Sequence, residues 1–230
     1  MDTIVLNEIP IQIRAHSLMK RLRIKEESRN AEELTRLIEE ACEVARPKAM
    51  YKAVYIESKG DDHIVVDGVS LKSRVLRVNV EEAHRVFPFV ATCGTELNEW
   101  AKHKDDILER FWADSINNVA VRTAVTYVDR HITERYRPGS MSRMTPGSLP
   151  DWPIQQQESL FGILGNTEGV VGVRLAKSLM MIPEHSVSGI AFPTEASFES
   201  CQLCPREKCP GRRAPYDKDL YDRKYRARDI

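Results

Sequence analysis

One long helical pattern in the middle of the sequence constrains the fold most. From about residue 106 to residue 132, apolar or small residues recur as adjacent pairs every four positions: Ile107/Leu108, Phe111/Trp112, Ser115/Ile116, Val119/Ala120, Thr123/Ala124 and Tyr127/Val128. Pairs at this spacing lie on one side of an α-helix and form a wide apolar stripe. Asp105 and Asp106 come before the stripe, where the helix dipole favours negative charge. We therefore expect a long helix that is buried along one side.

Strand patterns occur on both sides of this helix in the sequence. Alternating or continuous apolar runs typical of strands lie at residues 9–13, 50–57, 63–66, 69–71, 75–78, 86–91, 170–173, 175–181 and 186–192. Further helical patterns lie at residues 30–45 and 154–164. The helices and strands do not alternate regularly, so we expect an α+β fold with a mostly antiparallel, twisted sheet flanked by helices.

Composition excludes several classes of protein. The formal net charge is zero, so the whole chain is not an electrostatic binder of nucleic acid. No apolar run approaches the ~20 residues of a membrane span. The N-terminus lacks the basic and apolar regions of a signal peptide. The chain has five cysteines, and this odd number argues against a disulfide framework. We expect a cytoplasmic protein.

The stretch Arg143–Pro153 follows the long helix and contains three prolines and one glycine. Proline fixes φ, so this loop is expected to be stiff. A stiff loop with an arginine and exposed backbone amides suits a small anionic ligand. Composition alone favours a linker between two helices.

Two smaller features are also open to two interpretations. The corner Thr92-Cys93-Gly94-Thr95 joins a strand to a helix, where free amides can receive an anion, or it is a tight turn with a buried cysteine. His185, in a turn before the last strand, is either a ligand-side hydrogen-bonding group or a solvated loop residue.

Two motifs together resemble a known family. The first is Arg143-Met-Thr-Pro-Gly147, and the second combines Met181-Ile-Pro183 with Ser186-Val-Ser-Gly189. In this order and spacing they resemble the C-terminal activation (reactivation) domain of cobalamin-dependent methionine synthase, with its R-x-x-P-G and M-x-P-x-x-S-V-S-G patterns. The likeness covers about residues 1–200 and is closest to the stand-alone form of that domain.

The resemblance implies a role in repairing an oxidised cofactor. In the family, S-adenosylmethionine and one electron convert inactive cob(II)alamin to methylcobalamin, with the cobalamin carried by a partner. The implied partners are a corrinoid protein or a methionine synthase lacking its activation domain, and an electron donor such as flavodoxin or ferredoxin. No nucleic acid and no membrane is implied.

The resemblance also implies which residues form the site. Arg143 would bind the ligand's carboxylate, since a guanidinium matches a carboxylate in a two-pronged pair. Gly147 would admit the ligand to the backbone, beside Thr145. Ser148 and Phe198 stand at or near positions where the family carries tyrosines. The residues implied to face cobalamin or the pocket are Ser186, Ser188 and Gly189.

Residues 201–230 lie beyond the resemblance and form a separate expected unit, a basic tail with nine basic and five acidic residues. Cys201, Cys204 and Cys209 are spaced C-x2-C-x4-C, like metal ligands, and Cys93 is the possible fourth. An iron–sulfur cluster, zinc and free thiols all remain open. The alternative function is therefore a metal-binding or electron-transfer module on the same fold, without S-adenosylmethionine. A zinc-linked nucleic-acid binder is disfavoured by the neutral charge and the missing fourth ligand.

Overall fold

The computed structural model describes residues 3–209 and 211–226. Its helices are α1 (Ala15–Leu22), α2 (Arg29–Val44), α3 (Arg74–Asn79), α4 (Thr95–Lys102), α5 (Ile107–Tyr136), α6 (Gln156–Leu164) and α7 (Thr167–Val171). Its strands are β1 (Thr3–Leu6), β2 (Lys48–Lys52), β3 (Val54–Lys59), β4 (His63–Val66), β5 (Val69–Lys72), β6 (Arg85–Thr92), β7 (Met141–Met144), β8 (Arg174–Leu175), β9 (Met181–Ile182) and β10 (Ser186–Pro193). A 3₁₀ turn at Ser200–Leu203 and a π-helical turn at Tyr221–Tyr225 follow.

One antiparallel sheet dominates the fold. Its strand order is β1-β2-β6-β3-β4-β5, with β10 paired to β6 and β7 paired to β10. Strand β6 pairs with three others and is buried from residue 86 onward, in keeping with its uninterrupted apolar sequence. Strands β8 and β9 form a separate short ribbon. The expected α+β class, with a mostly antiparallel sheet and flanking helices, is confirmed.

Helix α5 covers one face of the sheet, as its apolar stripe requires. Asp106 caps it, because one carboxylate oxygen accepts hydrogen bonds from the N–H groups of Leu108 (2.8 Å) and Glu109 (3.0 Å). The first half of α5 packs on α2 and α4 through Trp112 and Ile116. The second half packs on β2, β6 and β10, whose side chains on this face include those of Tyr51, Phe87, Phe89 and Ala191. Helices α6 and α7 cover the opposite face.

Three expected strands are wrong, and a fourth, residues 175–181, is a strand only at its two ends, in β8 and β9. Residues 75–78 lie in α3, because Ser73 accepts a hydrogen bond from the Leu76 N–H (3.0 Å) and so caps a helix. Residues 170–171 end α7, which the side chain of Asn166 caps. Residues 9–13 form no strand, whereas the unpredicted β1 pairs with β2. A short apolar run fits a buried helix as well as a buried strand, so periodicity alone does not separate them.

The tail packs against the main core. Tyr225 is fully buried beside Phe198, and its hydroxyl donates to the side-chain oxygen of Asn79 (3.0 Å). The Arg74 side chain donates to the Tyr225 carbonyl (3.0 Å). Burial raises the pKa of Tyr225 to about 12. Two of the charges counted in the tail, Arg228 and Asp229, lie outside the described residues.

None of the described helices combines the length and the apolar character that a membrane crossing requires.

Candidate functional site

A cavity of about 580 Å³ lies where α5, β7, β10 and the tail meet. Each of these elements contributes side chains to its wall. The residues that line it are Arg122, Val125, Thr126, Arg143, Thr145, Ser148, Val187, Ser200, Cys201, Cys204, Gly211, Arg212 and Arg213. The loop that follows the long helix therefore forms part of a concave site and is more than a linker.

Arg143 is placed in this cavity by strand pairing. It lies on β7 opposite Ala191 of β10, and its guanidinium forms an ion pair with the carboxylate of Asp129 on α5. Asp129 lies one helical turn beyond Val125 and Thr126, which line the cavity. About a quarter of the Arg143 side chain (26%) and over a third of the Asp129 side chain (38%) remain exposed. Part of each charged side chain therefore remains exposed to solvent, and of the two only Arg143 lines the cavity.

The environment of Asp129 sets its protonation. Burial raises the pKa of the Asp129 carboxyl above its ordinary value, while the positive charges of Arg143 and Arg213 act in the opposite direction.

A guanidinium beside a carboxylate offers one partner for each end of a zwitterion. The pair is thus suited to the carboxylate and ammonium of an amino-acid group.

Three further arginines line the same cavity, and they differ in the contacts that their side chains make. Arg212 donates to the carbonyl oxygens of Cys201 (3.0 Å) and Cys204 (3.2 Å), so it fixes the shape of the tail loop. Arg213 forms an ion pair with Glu199 (2.8 Å). Arg122 is exposed and has no ion pair among the described residues. No described Asp or Glu lines the cavity, which gives it a positive character.

The stiff loop holds its shape through its own hydrogen bonds. The Gly147 N–H donates to the Trp152 carbonyl (2.7 Å), and the Ser148 hydroxyl donates to the Thr145 carbonyl (2.6 Å). Thr145 and Ser148 line the cavity. Gly147 does not, and its φ of +80° shows that the turn itself favours glycine there.

Phe198 lies away from the cavity. Its side chain is 3% exposed, and its ring packs edge-on against Tyr225 with the centroids 6.1 Å apart. The Phe198 N–H donates to the Ser142 hydroxyl (2.8 Å), which attaches the start of the tail to β7. The structure therefore gives this side chain a core position.

The expected serines of β10 face away from the cavity. Val187 lines it, and alternation along the strand places Ser186 and Ser188 on the other face. Ser186 donates to the Pro183 carbonyl (2.7 Å), and Ser188 is 2% exposed. A side chain at Gly189 would collide with the Met144 carbonyl, so this glycine permits the close approach of β7.

The cysteines are divided between two places. Cys201 and Cys204 line the cavity, and Cys209 lies half-buried in the same tail loop. Cys93 is buried among α2, α4 and α5, where burial raises its pKa to about 12. Across residues 3–209 and 211–226, no three Cys, His, Asp or Glu side chains lie close enough together to hold one metal ion.

The remaining two candidates are occupied by protein contacts. At the strand-to-helix corner a side chain on Gly94 would collide with the Arg46 carbonyl, and the Cys93 N–H donates to the His185 carbonyl (3.0 Å). The His185 ring lies 2.9 Å from a carboxylate oxygen of Asp114. The corner is thus the tight turn with a buried cysteine.

Sequence reasoning did not find Asp129, Arg212 or Arg213 as residues of the site. Asp129 belongs to no motif, and its only sequence signal is its position in the long helix directly after the Tyr127/Val128 pair. The tail arginines reach the cavity because Tyr225 and Phe198 hold the tail against the core.

Comparison with known proteins gives one informative result. No protein-family model matches the chain, and no curated protein matches it either. Among solved structures, the MetH reactivation domain bound to AdoHcy matches with a TM-score of 0.61 and 14% sequence identity, over 86% of this chain and 81% of that one. This chain therefore has the fold of the MetH reactivation domain.

Proposed function

We propose that this chain binds S-adenosylmethionine in the arginine-lined cavity and reactivates a cobalamin-dependent methionine synthase or a related corrinoid methyltransferase. The observation that carries the proposal is Arg143, the arginine of the R-x-x-P-G motif, which lines the cavity and forms an ion pair with Asp129. The compared domain has the same fold and is bound to AdoHcy, which is S-adenosylmethionine without its transferable methyl group.

The pair would hold the methionyl end of the ligand. Arg143 binds the carboxylate, and Asp129 accepts the ammonium, so the two ends of the zwitterion fix its direction. Thr145 and Ser148 lie in the same wall and offer backbone and hydroxyl groups beside it. The chain's contribution is to bind and orient the methyl donor, since the methyl-transfer chemistry belongs to the cobalamin carried by the partner.

The net reaction requires two other components. One electron from a donor of the flavodoxin or ferredoxin type reduces cob(II)alamin. Transfer of the methyl group from S-adenosylmethionine to the reduced cobalamin then gives methylcobalamin and leaves S-adenosylhomocysteine. The partner is a cytoplasmic corrinoid protein or a methionine synthase without its own activation domain. Arg122 is exposed and lines the cavity, so it adds positive charge to the cavity surface.

Calorimetry of the purified chain with S-adenosylmethionine tests the binding step. We expect micromolar affinity that falls about 10- to 100-fold in Arg143→Ala, because a hydrogen bond to a charged group contributes about 1.5–3 kcal/mol. Arg29→Ala is the matched control, since Arg29 is an exposed residue of α2 in an ion pair with Glu33. No heat of binding with the unaltered chain, at protein concentrations well above the micromolar range, would refute the proposal.

A further inference from the structure

We propose that a second cavity, next to the arginine-lined cavity, binds the phosphate groups of a small molecule that carries a diphosphate or triphosphate. This second cavity has a volume of about 460 Å³ and lies between Pro10, helix α1 and helix α5. Its wall includes Arg21, Arg122 and Arg130. The proposal does not rest on the binding of S-adenosylmethionine, so either one can fail alone.

The three arginines come from two helices. Arg21 lies in the last turn of α1, whereas Arg122 and Arg130 lie on α5. Residues four apart lie on the same side of a helix, so Arg122, Thr126 and Arg130 form one row. Eight residues of helix rise about 12 Å. Guanidiniums spread over this length can contact several linked phosphates, whereas a single phosphate ion would engage fewer of them.

The positive charge of these arginines is not neutralised by the protein. Arg21 and Arg122 are exposed, and neither forms an ion pair or a hydrogen bond with another residue in the ranges 3–209 and 211–226. Arg130 has one ion pair, with Glu134 at 3.9 Å, and both of those side chains are exposed, so the interaction is weak. Of the residues that the structure places around the cavity, none is Asp or Glu. Because the whole chain has zero net charge, this concentration of positive charge is a local feature.

The neighbouring side chains complete a site for phosphate oxygens. The Arg130 guanidinium lies over the ring of Tyr127, 4.7 Å from its centroid, and this contact favours one position for the guanidinium at the cavity wall. Thr126 is exposed and lines the cavity, so it adds a hydroxyl donor. A planar guanidinium donates two parallel hydrogen bonds to a phosphate. The chemistry of the wall therefore matches a phosphate chain.

The shape of the site favours a small molecule over a protein surface. Ligand cavities have volumes of about 300–1,000 Å³, and the second cavity falls within that range. Arg122 and Thr126 line both cavities, which places the second one directly beside the first along α5. A bound phosphate chain would therefore reduce the positive charge at the edge of the arginine-lined cavity as well.

Calorimetry of the full chain at low ionic strength tests the proposal. The probes are inorganic pyrophosphate and adenosine diphosphate, which present the same diphosphate from two sources. We expect one site per chain, with an affinity that falls about tenfold or more in Arg21→Ala and in Arg130→Ala. Equal affinities for the two probes identify the phosphate chain alone as the ligand, and a higher affinity for adenosine diphosphate identifies a nucleotide. Arg29→Ala is the matched control, since Arg29 is an exposed arginine of α2 outside the cavity, and it should bind like the unaltered chain.

A second measurement uses the unaltered chain, so it does not depend on the folding of any variant. Phenylglyoxal modifies accessible arginines, and mass spectrometry locates the modified residues. Pyrophosphate should protect Arg21 and Arg130 from modification and leave Arg29 unprotected.

Three results would overturn the proposal. The first is no binding of either probe to the unaltered chain. The second is full affinity in both Arg21→Ala and Arg130→Ala, or no protection of Arg21 and Arg130 from phenylglyoxal. The third is tighter binding of a glutamate-rich peptide than of either diphosphate, lost in Arg21→Ala, which would assign this surface to an acidic protein.

Discussion

Arg143 lines a cavity that is rich in arginine, and its guanidinium forms an ion pair with Asp129, which does not itself line the cavity. Burial raises the pKa of Asp129, so the folded protein holds a proton on this carboxyl more tightly than the unfolded chain does. Above this raised pKa the ionised carboxylate therefore lowers the free energy of unfolding. That loss of stability disappears as the pH falls through the pKa.

If S-adenosylmethionine binds as proposed, its affinity should depend on pH. Asp129 would accept the ligand's ammonium only when ionised, so the affinity should fall as the pH drops into the raised range, above the ordinary Asp value of about 3.9. Calorimetry between about pH 7 and pH 4 measures this. Asp129→Asn should bind more weakly at neutral pH and lose the dependence. An unchanged pH profile in Asp129→Asn would show that another group is responsible.

At the scale of elements, the position of Arg143 depends on how closely β7 approaches β10. Gly189 makes this approach possible, because a side chain there would collide with the Met144 carbonyl and contact Phe89 at 3.2 Å. Strand β7 has four residues and pairs with β10 alone among the described strands. A small shift of this strand therefore moves the arginine of the site.

Gly189→Ala tests that dependence. We expect a loss of about 1–3 kcal/mol in the free energy of unfolding, as for overpacking, together with weaker S-adenosylmethionine binding. Gly162→Ala is the control, since Gly162 lies in α6 with nothing within 4 Å of an added Cβ. It should stabilise the chain by about 0.4–1 kcal/mol. Denaturant unfolding measures the stability of both variants, and calorimetry measures their affinity for S-adenosylmethionine. Normal stability and affinity in Gly189→Ala would show that β7 is not held by this contact.

The elements that were predictable from sequence are those with a long or uninterrupted pattern. The apolar doublets predicted α5. The apolar-rich segments 86–91 and 186–192 predicted β6 and β10, with strand ends correct to within about one residue. Helices α3 and α7 were not predictable from periodicity, because side-chain caps at Ser73 and Asn166 decide them.

The site was predictable only in part, for a related reason. The motif indicated Arg143, but Asp129 meets it through the crossing of a helix and a strand, which no local pattern records. Phe198 was expected at the ligand and lies in the core, because its ring pairs with Tyr225 from the far end of the chain. Contacts between distant segments set both positions.

At the scale of the whole molecule, the tail completes the cavity. Tyr225 anchors it in the core against Phe198 and Asn79, and residues 200–213 then form one wall of the cavity. The tail is thus attached at both ends, by Phe198 near its start and by Tyr225 near its finish.

Tyr225→Ala should therefore affect both stability and the site. We expect a loss of about 3–5 kcal/mol in the free energy of unfolding, as for a large aromatic residue removed from a core, and a weaker S-adenosylmethionine affinity. Tyr216→Ala is the control because that ring is 46% exposed, and it should cost less than about 1 kcal/mol. Equal costs in the two variants would mean that the tail is not anchored by Tyr225.

The most direct test is a reactivation assay. A methionine synthase lacking its activation domain, held as cob(II)alamin, is mixed with S-adenosylmethionine and reduced flavodoxin, and methylcobalamin is followed by its absorbance. We expect this chain to accelerate methylcobalamin formation. Arg143→Ala should do so far less, and Arg29→Ala should act like the unaltered chain. The same rate with and without the chain would contradict it.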